Sequence, residues 1–280
     1  TSSNSPTTAG NWNPSSVPCN GSNITIPSGL STYPTYSTLT INSGSTFTVQ
    51  AGATLTVTSA LTNNGTLTLE SGATLVQGSS SALAGSGTYN VKQDITGAGS
   101  TTPSGRFWYL GSPVATASSA VFFASNSANV VKKRNEASNS WTVVPSGTPE
   151  NLEVGRGYYT QAMANSTITF TGGVVNNGDI TISGLTRTAG LGFEGFNLVS
   201  NPYPSYLDWD AVTKNDVGNT MWYRTASGST AGSMVFDTYV AGTNGIGTNL
   251  NGNGVSNLIP PMQSFWVRVN SGSSTGSLAV

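Results

Sequence analysis

Eight aromatic residues fall in adjacent pairs, Trp108-Tyr109, Tyr158-Tyr159, Trp222-Tyr223 and Phe265-Trp266, each inside a stretch that reads as a strand. Flat apolar rings set side by side can stack on the CH face of a sugar, so these rings are the first group that could do chemistry. Strand geometry sends one member of each pair inward, and half of them are therefore expected in a core. The candidates for a binding face are Trp222, Tyr223, Trp266 and Trp209. The second group is carboxylate: Asp208, Asp210, Asp216 and Asp237. A glycosidase holds two carboxyls facing one another across roughly 5 to 10 Å. Asp208 and Asp210 merely flank Trp209, with no motif to fix their geometry, so capping a turn or a helix is the expected duty.

Composition closes most other routes. There is no histidine, which removes Ser-His-Asp and Cys-His nucleophiles, HExxH zinc sites and a His general base. The single cysteine, Cys19, cannot make an intrachain disulfide or a thiolate cluster; it is a small buried residue or an intermolecular contact. Calcium is the one cofactor left open, through "VVNNGDI" or "DVGN", and neither has the acidic density of a tight site. Ten basic residues against eleven acidic ones, with "KKR" as the only basic run, give no field for a phosphate backbone. Nucleic acid is not an expected partner. No run approaches 18 apolar residues, so no spanning helix is expected. No catalytic residue, metal ligand or cofactor-binding residue is assigned, and the chain is expected not to be an enzyme.

The elements that must position these side chains read as strands throughout. From Ser37 to Gln77, short alternating runs (Leu39, Ile41; Phe47, Val49; Leu55, Val57; Leu67, Leu69) are divided by Gly44, Gly52, Gly65 and Gly72. Phe47 and Leu55 are eight residues apart, as are Leu67 and Leu75. Runs this short cannot bury a face alone, so they must stack, with Thr and Ser outside and Leu, Val and Phe inside. A parallel β-solenoid is the expected arrangement; a meander of hairpins through Asn63-Asn64-Gly65 is its competitor. The even spacing favours the solenoid. Within Thr38 to Gln77 only Glu70 is ionisable, too little for paired-carboxylate catalysis on that surface.

Beyond a Gly, Ser, Thr and Pro cluster near residue 100, two stretches answer each other. "GRFWYLGSPV" (105 to 114) matches "GFNLVSNPYP" (195 to 204), "VKKRN" (131 to 135) matches "MWYRT" (221 to 225), and "LEVGRGYYTQA" (152 to 162) matches "LIPPMQSFWVRV" (258 to 269). Three matches in one order predict two copies of an all-β module of sandwich size. The expected organisation is a solenoid-like domain over 1–100 and β-sandwich modules over 101–190 and 191–280. One short helix at most is expected, over Tyr206 to Lys214. Sequons at Asn20, Asn23, Asn64 and Asn165 are expected to be coincidence in so Asn- and Thr-rich a chain.

The amino-terminal "NWNPSSVPCNGSNITIP" and the solenoid-like runs after it resemble secreted proteins of Bacteroidota. "GFNLVSNPYPSYLDWD" and "IPPMQSFWVRV" resemble paired motifs that such proteins carry before a type IX secretion sorting domain. The resemblance implies export to, or release from, the cell surface, and it implies no catalytic residues. The sequence stops at "SGSLAV" before any such sorting domain, as expected if it is removed on export, and "TSSNSPTTAG" is similar to a mature amino terminus after export. The expected function is that of a non-enzymatic extracellular structural or adhesive protein that assembles with itself into a filament, sheath or surface layer. The alternative is a carbohydrate-binding accessory module, with extracellular glycans as the partner.

Overall fold

In a computed structural model, the Thr-rich alternating runs wind into a parallel β-solenoid of about three turns near the amino terminus, and the rest of the chain is antiparallel sheet. The structure describes residues 5–13, 15, 17, 21–97, 107–226, 234–242, 245, 247–250, 252 and 255–280; Cys19, Asn20 and the junction around Pro103 lie outside these. Among the described residues no helix is long and apolar enough to cross a membrane.

The solenoid strands are β1 (Ile24–Ile26), β2 (Thr35–Ile41), β3 (Thr46–Val49), β4 (Thr54–Asn63), β5 (Thr66–Leu69), β6 (Thr74–Gln77), β7 (Ala82–Ala84) and β8 (Thr88–Ile95). One parallel sheet runs β1-β3-β5-β8; the other runs β2-β4-β6, with β7 also against β4. Phe47 lies beside Leu67 and Leu67 beside Tyr89, so successive coils take 20 and 22 residues. The eight-residue spacing is the step from one sheet to the other within a coil: Phe47 is on β3 and Leu55 on β4, and both are buried. Outside, hydroxyls form ladders, with the exposed Ser37 and Ser59 Oγ atoms 3.3 Å apart.

The coil's corner is polar but satisfied. Asn63 is fully buried; its amide donates to the Thr88 carbonyl at 3.0 Å and its Oδ1 accepts the Gly65 N–H at 3.1 Å. Any β-carbon at Gly65 would collide with the Ser45 and Asn42 carbonyl oxygens, so only glycine fits the corner. Asn63→Ala leaves the half-buried Gly65 N–H without its partner and empties the buried corner. It should lower the unfolding free energy by about 1–3 kcal/mol in urea titrations, with the m-value unchanged.

The first module adds β9 (Phe107–Leu110), β10 (Val130–Asn135), β11 (Ser140–Val144), β12 (Tyr158–Gln161) and β13 (Ser166–Gly172). The second is built from β14 (Thr181–Thr186), β15 (Phe196–Ser200), β16 (Leu207–Asp208), β17 (Thr213–Asn215), β18 (Thr220–Ala226), β19 (Met234–Val240), β20 (Leu258–Ile259), β21 (Ser264–Arg268) and β22 (Thr275–Ala279). Their four-stranded sheets have the same order, β9-β12-β10-β11 and β15-β21-β18-β19, which is the order the matched segments require. Each sheet is faced by a second layer. In the second module that layer is β14-β22-β17; in the first, β13 pairs antiparallel with solenoid strand β8. The repeat therefore starts on the solenoid, with β8 and β13 standing where β14 and β22 stand in the second copy. Buried apolar residues follow this division. One cluster joins the solenoid and the first module, from Ile26 to Val175, and takes in Met262 from the second module; another fills the second module, from Ile182 to Leu278.

The two copies touch reciprocally. Leu110 bridges Gln263 while Val199 bridges Arg156. The Gly111 N–H bonds the Met262 carbonyl at 2.8 Å while the Ser200 N–H bonds the Gly155 carbonyl at 2.9 Å. Leu110 and Val199 occupy the same place in the two copies, opposite Tyr158 and Phe265. Equivalent residues exchange equivalent contacts, the pattern of a two-fold dimer, here within one chain.

Candidate functional site

Period two divides the aromatic pairs, and the docking of the modules then covers part of the outward half. Tyr158 points inward and is fully buried against Phe122, whereas Tyr159 points outward beside Phe107 at 4.8 Å and Trp141 at 5.6 Å. In the second module Tyr223 and Phe265 point inward, and Trp222 and Trp266 stand opposite one another on the outer face. Of the four expected binding aromatics, Trp209 is 0% exposed and Tyr223 is 7% exposed, both packed on Phe265. Neither can offer a face to a ligand, and burial pushes the Tyr223 hydroxyl pKa up. Trp266 is half-buried, edge-on to Tyr109 at 6.0 Å and Trp141 at 5.8 Å, both rings of the first module. Arg224 adds its guanidinium over Phe107 at 4.6 Å. The outer faces of the two sheets thus meet in an aromatic seam, and only Trp222, beside Phe196 at 5.0 Å, remains of the proposed platform.

The stretch "NPYPSYLDWD" is a corner that locks three parts of the fold together. Asn201 is fully buried; its amide reaches the Ser205 and Ile259 carbonyls at 2.8 and 3.0 Å, and its Oδ1 accepts the Tyr203 N–H at 2.9 Å. The Tyr203 hydroxyl donates to the Gly178 carbonyl at 2.6 Å. The Pro204 carbonyl accepts the Leu75 N–H at 2.9 Å, which covers the edge of solenoid strand β6. The expected helix over Tyr206 to Lys214 does not form. Strands β16 and β17 hold that segment instead, because Trp209 is buried between them with its Nε1–H on the Asn219 carbonyl at 2.8 Å. Lys214 closes the turn from above, with Nζ 4.2 Å over the Trp209 ring and 2.7 Å from its carbonyl. Burial lowers the Lys214 pKa, against the charges of Asp210 and Asp208.

The carboxylates act as caps. Asp208 Oδ1 accepts the Asp210 N–H at 3.0 Å and the Asn257 amide at 2.8 Å; Asp210 accepts the Tyr239 hydroxyl at 2.6 Å. Asp216 takes the Ser273 hydroxyl at 2.7 Å, and buried Asp237 takes the Thr225 hydroxyl and the Leu250 N–H, both at 2.6 Å. In "VVNNGDI" the Asn176 amide donates to the Pro202 carbonyl at 2.8 Å and the Asn177 amide to the Ser81 carbonyl at 3.0 Å. Among the described residues no three of Asp, Glu and Cys gather at metal-binding range. Asn23 and Asn64, two of the sequon asparagines, likewise accept backbone N–H groups from neighbouring coils.

One further site holds none of the site residues singled out from the sequence: the amino-terminal end of the solenoid. A cavity of about 500 Å³ opens there, lined by Trp12, Ile24, Tyr36, Leu39, Ile41 and Phe47. The Tyr36 ring meets Phe47 edge-on at 6.1 Å; its hydroxyl is buried without a hydrogen-bond partner, and burial pushes its pKa up to about 12. Above the cavity, β1 and β2 are each paired on one side only among the described residues. A signal existed in the sequence, because residues 1–69 carry no Asp, Glu, Lys or Arg. Edge strands are usually guarded by charge, and here none is present.

Searches of curated proteins and of solved structures found no match to this chain. A family model described as a domain of unknown function (DUF8693) matches residues 1–279, and the chain belongs to that family.

Proposed function

We propose that this is a non-enzymatic, extracellular structural or adhesive protein that assembles with itself. The observation that carries the reading is the solenoid end: uncharged Thr-rich ladders that stop, among the described residues, at strands paired on one side only, beside a cavity lined by Trp12, Ile24, Tyr36, Leu39, Ile41 and Phe47 together with Ser and Thr side chains. Such edges accept a further strand through backbone hydrogen bonds, and a low-charge surface opposes association weakly. The resemblance of "GFNLVSNPYPSYLDWD" and "IPPMQSFWVRV" to type IX cargo supports the extracellular part of the reading. The carboxylates and most of the aromatics are committed to capping and packing, which supports a scaffold over a catalyst. Electron microscopy and sedimentation of the purified chain at rising concentration test it: ordered polymers or discrete oligomers are expected, and a strict monomer would remove the reading.

Trp222 favours a second reading, in which the outer face of the second module binds glycans. Its ring is half-buried beside Phe196, which lies under the Arg268 guanidinium at 5.1 Å. Binding to a polysaccharide affinity gel that Trp222→Ala abolishes, without a change in unfolding midpoint, is the result this reading expects.

A further inference from the structure

We propose that the free edge of β2 is the docking surface for a second copy of this chain, the two β2 strands pairing antiparallel about a two-fold axis. This deepens the self-assembly reading and rests on it. The two ends of the solenoid are not alike. At the carboxy-terminal end β8 is covered by β13 and β6 by the Pro204 carbonyl, which leaves only the three-residue β7, paired with β4 alone among the described residues. Of the solenoid edges paired on one side only among the described residues, β2 with seven residues is the longest, against three each for β1 and β7, which favours addition through the amino-terminal ends, head to head.

The edge is suited to that pairing. The Asn64 N–H bonds the Ile41 carbonyl at 2.8 Å, so the polar groups of Ile41 face β4. Those of Thr40, one residue earlier, face the free side. The strand Thr35–Ile41 contains no charge and no proline, and its register irregularity between Tyr36 and Thr38 leaves Thr38 to Ile41 regular. The side chains of Thr38 and Thr40 are exposed, while those of Leu39 and Ile41 turn into the core beside the cavity. A strand laid on this edge must carry the same alternation, uncharged outside and apolar inside. A second β2 supplies it, sets its own Leu39 and Ile41 beside the cavity that Trp12 also lines, and brings no repulsion, since both ends lack charge over residues 1–69.

Sedimentation velocity over a dilution series of the full chain tests this, with Thr40→Pro to remove the outward N–H and Thr40→Lys to place a charge on the edge while keeping the backbone donor. Thr142→Lys, on β11 at the edge of the first module's four-stranded sheet, is the control. The expected result is a wild-type dimer whose dissociation constant rises at least tenfold in both Thr40 variants and is unchanged in Thr142→Lys, all with the wild-type unfolding midpoint. Should Thr40→Pro fail to fold, Thr40→Lys alone decides. Wild-type dimers that persist with equal affinity in Thr40→Lys overturn the assignment of this edge and leave self-assembly standing. A wild type that stays monomeric throughout overturns both.

Discussion

Trp209→Ala should lower the unfolding free energy by about 3–5 kcal/mol, the range for deleting a large buried aromatic. Its ring is fully buried against Phe265, with centroids 5.5 Å apart, and its Nε1–H is the donor to the Asn219 carbonyl. Truncation opens a cavity between β16 and β17, leaves that carbonyl with the Ala241 N–H as its one remaining donor, and strands Lys214, whose ammonium sits over the ring. Trp222→Ala, at a half-buried ring on the outer face, should cost less than half as much. Urea titrations of both variants decide the matter; equal losses would mean that the orientation of the second module's rings is wrong. A binding-site tryptophan would show the reverse pattern, a large effect on ligand affinity and a small one on stability.

The next largest effect is expected at Glu136. This carboxylate is 4% exposed, at the end of the β10–β11 hairpin, and it reaches across to the second module. Its Oε1 accepts the Thr188 and Gly195 N–H groups at 3.0 and 2.8 Å, and its Oε2 accepts the Thr186 and Thr188 hydroxyls at 2.9 and 3.0 Å. Burial works to raise its pKa, but the four hydrogen bonds outweigh burial, and the net shift is downward from 4.5. A carboxylate whose pKa falls on folding stabilises the fold fully above its ordinary range. That contribution is lost as pH drops through the lowered folded value. Glu136→Ala leaves two buried N–H groups unpaired and should cost about 3–5 kcal/mol at neutral pH. Glu136→Gln can keep both N–H bonds and reorient the hydroxyls, so it should cost about 1–2 kcal/mol and flatten the acid limb of stability against pH. An unchanged acid limb in Glu136→Gln would show that the clasp does not depend on charge.

The solenoid and the module repeat were legible because both are written in local pattern. Alternation of Thr with Leu or Val gives strands, the glycines give corners, and "FNLVS" against "FWYL" gives the same strand twice. What the sequence hides is which faces meet. Nothing local to Trp266 says that Tyr109 and Trp141 will cover it, and nothing in "RNEAS" says that Glu136 will cap a loop some fifty residues later. The helix expected over Tyr206 to Lys214 failed for a related reason: a capping pattern around Asp208 competed with the burial of one large ring, and the ring won. The residues of the cavity at the solenoid's end do not stand out as a site because the signal there is the lack of charge over 69 residues, which no single position displays.

The shared strand β8 separates two variables that most folds tie together. Among the described residues the first module's sheet pairing with the solenoid is through β8 in the last coil, while the free edge belongs to the first, so coils of 20 to 22 residues could be inserted or deleted between them with both surfaces kept. Each inserted coil would advance the amino-terminal edge by about 4.8 Å along the stack, one strand spacing. The solenoid is in that sense a spacer of adjustable length. Relatives that differ by whole coils would hold the same two modules at different reach from whatever the end engages.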